Sequence, residues 1–232
     1  MRLILIRHGD PDYARDALTE KGQREAKLLA LRASNWKVDD IYVSPLGRAR
    51  ETAKFCLDKW NKSATVLDWA REFPYYVEEK EQYIWDFYPS QWTGEDSNFK
   101  ENDWAKSPRF DCVGQAYRSV CASLDELLLG YGYERRGRAY RVKEHSDKTI
   151  VIFCHFGISM IFLSHLLNIS AQTLLHGLFL APTSVTVLNT EERAGDEAYF
   201  RAERIGDCYH LLAGNESVSP SGYFAEIMQE KV

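Results

Sequence analysis

The sequence lacks the positive excess that marks a nucleic-acid-binding chain. Its formal net charge is -5, so bulk electrostatics offers no attraction to a polyanion. Cysteine is sparse and scattered: Cys56, Cys112, Cys121, Cys154 and Cys208 are odd in number and include no C-x-x-C pair. That argues against a disulfide framework and fits buried thiols in a reducing cytosol. Long apolar runs are also missing. The longest, around Ile150 to Leu167, is broken by His155, Gly157, Ser159 and Ser164, which leaves no membrane span. The amino terminus offers four apolar residues before Arg7 and His8 interrupt them, too few for a signal peptide. The expectation is a soluble, cytoplasmic protein. There is no internal repeat, and no close His-x-His or helical His pair on which to build a metal site with Cys154.

What is present begins at the first nine residues. Leu3 to Ile6 has the length of a buried strand and ends abruptly in Arg7-His8-Gly9. Thr149 to Cys154 is a second such run, and it ends in His155-Phe156-Gly157. Between them, Thr19 caps a helix whose inner stripe is Ala26, Leu29, Ala30 and Ala33. Asp40 to Val43 reads as a strand, the stretch from Ala49 to Trp60 as a helix, and Thr65 to Leu67 as a short strand. Strand, helix, strand, helix, strand favours parallel pairing. With 232 residues the chain suits one α/β domain carrying an elaboration. That elaboration is the aromatic-rich segment from Tyr75 to Phe110, which has no clear periodicity. Its rings form either a small core of their own or the wall of a leaving-group pocket. From Val113 to Gly130 the pattern is an amphipathic helix. Tyr133 to Lys143 reads as a hairpin, Ile158 to Leu167 as a helix, and Ser184 to Leu188 with Ala198 to Glu203 as a second hairpin. The tail after Leu212 is expected to fray.

Two strands that each deliver a His at the carboxyl end point to one site, because ligands of open α/β sheets bind at that edge. Arg48, in Ser44-Pro45-Leu46-Gly47-Arg48-Ala49, falls where the second strand passes into its helix. Two guanidiniums and two imidazoles around one volume suit a phosphoryl group, whose oxygens accept forked hydrogen bonds from Arg. A neutral His can attack phosphorus with one nitrogen while the other keeps its proton. A His at a strand end is ordinarily structural, and His145, His165, His176 and His210 keep that reading; the joint pattern sets His8 and His155 apart. Asp10, next to Gly9, is read as seating the loop rather than as catalytic.

Four stretches in order resemble the histidine phosphatase superfamily, the phosphoglycerate mutase-like proteins: Arg7-His8-Gly9, Leu18-Thr19-Glu20-Lys21-Gly22-Gln23-Arg24-Glu25-Ala26, Ser44 to Ala49, and Cys154-His155-Phe156-Gly157. Ala181-Pro182-Thr183-Ser184-Val185 and Gly206 to Leu211 resemble the family's later loop and ending. The resemblance implies an α/β fold: a three-layer α/β/α sandwich with a mostly parallel central sheet, one domain over 1–232, and an insert over about 75–145 near the carboxyl edge as a lid or cap. It implies His8 as nucleophile, with His155, Arg7 and Arg48 on the phosphoryl oxygens. Gly9 would leave room for phosphate, and Thr183 would help bind substrate. The acid that protonates the leaving oxygen usually follows the third strand, where Glu72 stands, with Glu78, Glu79 and Glu81 close behind. No metal or cofactor is implied, and the partner is a small phosphorylated metabolite.

Asp10-Pro11-Asp12-Tyr13-Ala14-Arg15 departs from the polar, Asn-containing stretch of the glycolytic mutases, which favours a phosphomonoesterase. Mutase-type transfer and a non-catalytic phospho-ligand binder are the alternatives. The secreted branch with R-H-G-x-R-x-P does not fit, because Asp12 and the cysteine pattern differ.

Overall fold

The computed structural model describes residues 1–73, 76–77, 82–100, 103–106, 110–193 and 195–223. Eight strands form the main sheet: β1 (Arg2–Arg7), β2 (Asp40–Val43), β3 (Thr65–Val66), β4 (Tyr133–Arg136), β5 (Ala139–Val142), β6 (Thr149–Cys154), β7 (Val185–Glu192) and β8 (Glu197–Asp207). Their order across the sheet is β3-β2-β6-β1-β7-β8-β5-β4. The half from β3 to β1 is parallel. From β1 outward every pairing is antiparallel; in β4–β5 and β7–β8 a short loop reverses the chain. The α/β architecture therefore agrees with the expected one, with its parallel pairing concentrated where the site lies.

Among the described residues, six helices of five residues or more flank the sheet: α1 (Glu20–Ala33), α2 (Gly47–Trp60), α3 (Asp111–Leu129), α4 (Phe156–Leu167), α5 (Ala171–Gly177) and α6 (Tyr209–Ala213). Alternation along β1 explains the three layers. Ile4 and Ile6 point to a core shared with Leu29, Ala33, Ala49 and Ala53 of α1 and α2. Leu3 and Leu5 point to the opposite core, shared with α3 and α4. Each such fully buried Leu or Ile contributes about 1.5–3 kcal/mol of burial. Helix α4 is buried almost all round, from Phe156 to Leu166, so it is apolar on every face rather than amphipathic. Trp69 of the segment after β3 packs edge-on against its Phe162 at 5.8 Å. Trp104 packs against Phe110 and Tyr117 with ring centres 5.6 and 5.1 Å apart, and these rings join the main core on the Leu3 and Leu5 face rather than forming a separate one. Among the described residues, no helix is long and apolar enough to cross a membrane.

Two features were not anticipated. The hairpin β4–β5 extends the main sheet at its far edge instead of standing apart. The tail after Leu212 does not fray within the described residues. Glu216 accepts from Lys21 at 2.8 Å and Arg24 at 2.7 Å, and Tyr223 stacks on Phe179 at 3.7 Å. Partners far along the chain hold it, and no local pattern announces them.

The topology makes the site. The chain leaves β1, passes through α1 to β2, and reaches β3 through α2. It then crosses to the other face, and β6 enters the sheet between β2 and β1. Consequently β1 and β6 are parallel neighbours, with Arg7 opposite Cys154, and the helices that follow them pack on opposite faces. That is a topological switch point, where a crevice opens at the carboxyl edge.

Candidate active site

His8 and His155 emerge side by side from that crevice. The backbone N–H of His8 donates to the Cys154 carbonyl at 3.0 Å, and the two ring centres lie 5.1 Å apart. Nδ1 of His8 lies 2.7 Å from the Gly9 carbonyl oxygen. A carbonyl only accepts, so Nδ1 carries the proton and Nε2 keeps its lone pair. Burial, with only 1% of the residue exposed, holds the His8 imidazole well below its ordinary pKa, and the charges near Arg7, His155 and Arg48 push the same way. His155 is likewise held neutral by burial, then by Arg48 and Arg7. Its Nε2 meets the Ser44 hydroxyl at 2.7 Å, while its Nδ1 is buried without a hydrogen-bond partner. An orphaned ring nitrogen this deep costs free energy unless a ligand meets it.

Arg7 and Arg48 line one cleft with Glu72. Arg7 donates to the carbonyls of Leu180 and Ser221, and Arg48 donates to Asp16 Oδ1 at 2.6 Å. Asp16 accepts from the Gly47 N–H at 2.6 Å through its other oxygen, so one carboxylate fixes both the helix start and the guanidinium. Each arginine retains a buried Nε with no protein acceptor. Unspent donors on two adjacent guanidiniums are what an oxyanion would occupy.

Glu72 sits across the cleft at the amino end of α4. Its Oε1 accepts from the Phe73 and Ile158 N–H groups at 2.8 and 3.1 Å. Those bonds favour the carboxylate, yet burial outweighs them and raises its pKa. A Cβ on Gly157 would come within 2.9 Å of Glu72 Oε1 and 3.1 Å of the Trp85 ring. Glycine there lets the acid and the indole close over the helix end. Glu78, Glu79 and Glu81 lie outside the described residues.

Gly9 and Thr183 serve the site from behind. A Cβ on Gly9 would meet the Gly22 carbonyl oxygen at 2.8 Å, so its bareness admits helix α1. Thr183 is fully buried, and its N–H donates to the His8 carbonyl at 3.0 Å. Its hydroxyl donates to the Pro182 carbonyl at 2.7 Å and meets His210 Nε2 at 3.0 Å. The φ of +57° at Thr183 is rare for a β-branched residue and marks stored strain beside the imidazole. Asp10 accepts from Thr19 at 2.7 Å and from Ser219, seating the loop after Gly9. Among the described residues, no group of three His, Cys, Asp or Glu is placed to hold a metal ion.

This geometry coincides with a family match. Residues 3–201 fit the model of the histidine phosphatase superfamily, branch 1. The chain belongs to that superfamily. A mutant phosphoserine phosphatase from Entamoeba histolytica in complex with phosphoserine is 26% identical over 91% of this chain and 99% of that one, with a TM-score of 0.62. The same phosphatase with 3-phosphoglyceric acid gives 26% identity and a TM-score of 0.63, at the same coverage. A 2,3-bisphosphoglycerate-dependent phosphoglycerate mutase from Thermoplasma acidophilum is 36% identical over 73 residues, 27% of this chain. The chain spans only 36% of the length of that curated relative.

Three residues of this superfamily member's site were not assigned a role from sequence. Asp16 holds Arg48, Ser44 holds His155, and Glu25 accepts the Asp10 N–H at 2.8 Å. Ser44 stands inside a motif already singled out. Glu25 likewise falls in the Leu18 to Ala26 stretch, whereas Asp16 is a polar residue among many that only the folded chain brings to Arg48.

Proposed function

We propose that the protein is a metal-independent phosphomonoesterase that works through a phosphohistidine on His8 and acts on a small phosphorylated metabolite. One observation carries the reading: His8 is a buried, neutral imidazole whose Nδ1 proton is committed to Gly9, leaving Nε2 as the nucleophile beside two arginines. Nε2 attacks phosphorus, the P–O bond to the leaving group breaks, and protonated Glu72 supplies the proton to that oxygen. Water then attacks the phosphohistidine, Glu72 takes its proton, and the P–N bond returns its electron pair to Nε2. Arg7, Arg48 and the open Nδ1 side of His155 bind the equatorial oxygens, so catalysis is mainly positioning and electrostatics. The likeness to a phosphoserine phosphatase over nearly the whole chain supports hydrolysis. The departure of Asp10 to Arg15 from the mutase pattern supports it too.

p-Nitrophenyl phosphate tests the proposal. Release of nitrophenol should survive EDTA and fall at least about a thousandfold in His8→Ala. Activity persisting in that variant would remove His8 as nucleophile. Glu72→Gln should slow alkyl phosphates far more than p-nitrophenyl phosphate, whose leaving group needs little protonation. Equal losses on both would place the acid elsewhere. Formation of 2-phosphoglycerate from 3-phosphoglycerate and catalytic bisphosphoglycerate would instead establish a mutase.

A further inference from the structure

The cleft extends well past the phosphoryl centre, to about 650 Å³, and its outer half is built differently from its inner half. Arg7, Arg48 and Glu72 form the inner part. The remaining walls are Tyr83, Trp85, Leu46 and Tyr223, with Phe156 and Tyr13 lying against Arg7 and Arg48 where the two parts meet. Tyr83 and Trp85 lie parallel, 5.1 Å apart with 1° between their planes. Trp85 packs over Gly157 at the same place as the Glu72 carboxyl. The indole therefore borders the carboxyl that would protonate a leaving group. Tyr13, Tyr83 and Tyr223 are 62%, 43% and 49% exposed, which is a large amount of aromatic surface to leave in water around one opening. Tyr223 is held there by stacking on Phe179 and by the Ser221 carbonyl on Arg7. Arg71 also lines this part, and among the described residues it makes no hydrogen bond or ion pair.

We propose that the outer half of the cleft binds a planar aromatic leaving group bearing a second anionic substituent, so that the substrate is a small aryl or arylmethyl phosphomonoester whose far end meets Arg71. The inference rests on the enzymatic reading for the word substrate, but the pocket it describes is testable by binding alone. The phosphoryl dianion sits at the arginines, the ring lies against Trp85 beside Tyr83, and the second anion offsets the charge of Arg71. A pocket of this volume accommodates a molecule of drug size.

The test uses phosphonates, which cannot be hydrolysed, so its outcome does not depend on turnover. Isothermal titration of the full chain with 2-naphthylmethylphosphonate should give a Kd at least about tenfold below that of ethylphosphonate. A carboxylate on the distal ring should tighten binding by about a further fivefold. Trp85→Leu should remove most of the aromatic preference, and Tyr83→Leu part of it. Arg71→Ala, an exposed substitution, should abolish only the gain from the carboxylate. Equal affinity for the ethyl and naphthylmethyl ligands, or tighter binding of the phosphonate analogue of phosphoserine, overturns the inference. That result would leave the phosphohistidine reading intact. Conversely, an aromatic preference that depends on Trp85, in a protein that forms no phosphohistidine, would uphold the pocket and remove the enzyme.

Discussion

At the scale of the residue, the site is a pairing of two groups whose environments displace them in opposite senses. Burial drives His8 toward its neutral form and Glu72 toward its protonated form. Both are the forms that phosphoryl transfer to an imidazole requires. The sign of the pH dependence follows. In the proposed mechanism His8 acts as the neutral imidazole, and its folded pKa is well below 6.5, so kcat/KM should hold on the acid side of pH 6.5 before it falls. As the proposed acid, Glu72 acts protonated, and its folded pKa is above 4.5, so the alkaline limb should be displaced upward from the ordinary carboxylate range. A kcat/KM profile for an alkyl phosphate should be bell-shaped, and Glu72→Gln should flatten its alkaline limb while lowering the rate. An alkaline limb unchanged in that variant would assign it to another group. Arg48 depends on Asp16 in the same local way. Asp16→Asn should raise KM for a phosphomonoester about tenfold, with a smaller change in kcat, because the guanidinium loses its orienting carboxylate.

Helix α1 carries a different kind of electrostatic load. Glu25 is fully buried on its inner face and accepts the Asp10 N–H. Its pKa is raised from 4.5 to about 7, by burial first, against the Asp10 N–H and Lys21. A carboxyl whose folded pKa is raised holds its proton in the folded state when the unfolded state has released it. Stability therefore falls as pH rises from about 4.5 to about 7. Glu25→Gln removes that titration while keeping an acceptor for Asp10. The melting temperature of the variant minus that of the wild type should rise across this window by several degrees and stay constant above it. A difference independent of pH would mean that Glu25 titrates normally. The elements around α1 were legible because their signals are periodic: the Thr19 cap and the stripe Ala26, Leu29, Ala30, Ala33 were read directly, and the helix spans Glu20–Ala33. The insert was not, since its residues bury rings against α3 and α5 without a repeating spacing. His176, for instance, stacks between Phe87 and Trp92.

At the scale of the whole molecule, the tail is the piece that closes the design. Glu216 ties it to α1, Ser219 reaches Asp10, Ser221 reaches Arg7, and Tyr223 joins the cleft wall. Truncation after Gly214 should therefore raise KM for aryl phosphomonoesters more than for alkyl ones, and should lower the melting temperature by a few degrees. Equal kinetic constants for the truncated and full chains would show that the tail is only decoration.

The sequence alone determined the alternation that makes three layers and the strand endings that deliver His8 and His155. It also determined the position of Arg48 at a helix start. These are local signals, carried by a period of two, a period of 3.6 or a change from apolar to charged at one residue. Tertiary structure decided what is remote in the chain and close in space. The insertion of β6 beside β1 sets the two imidazoles 5.1 Å apart. The burial of Glu72 raises its pKa, Asp16 anchors Arg48, and the tail meets Arg7. Desolvation and long-range pairing depend on what surrounds a group, and no spacing along the chain encodes that.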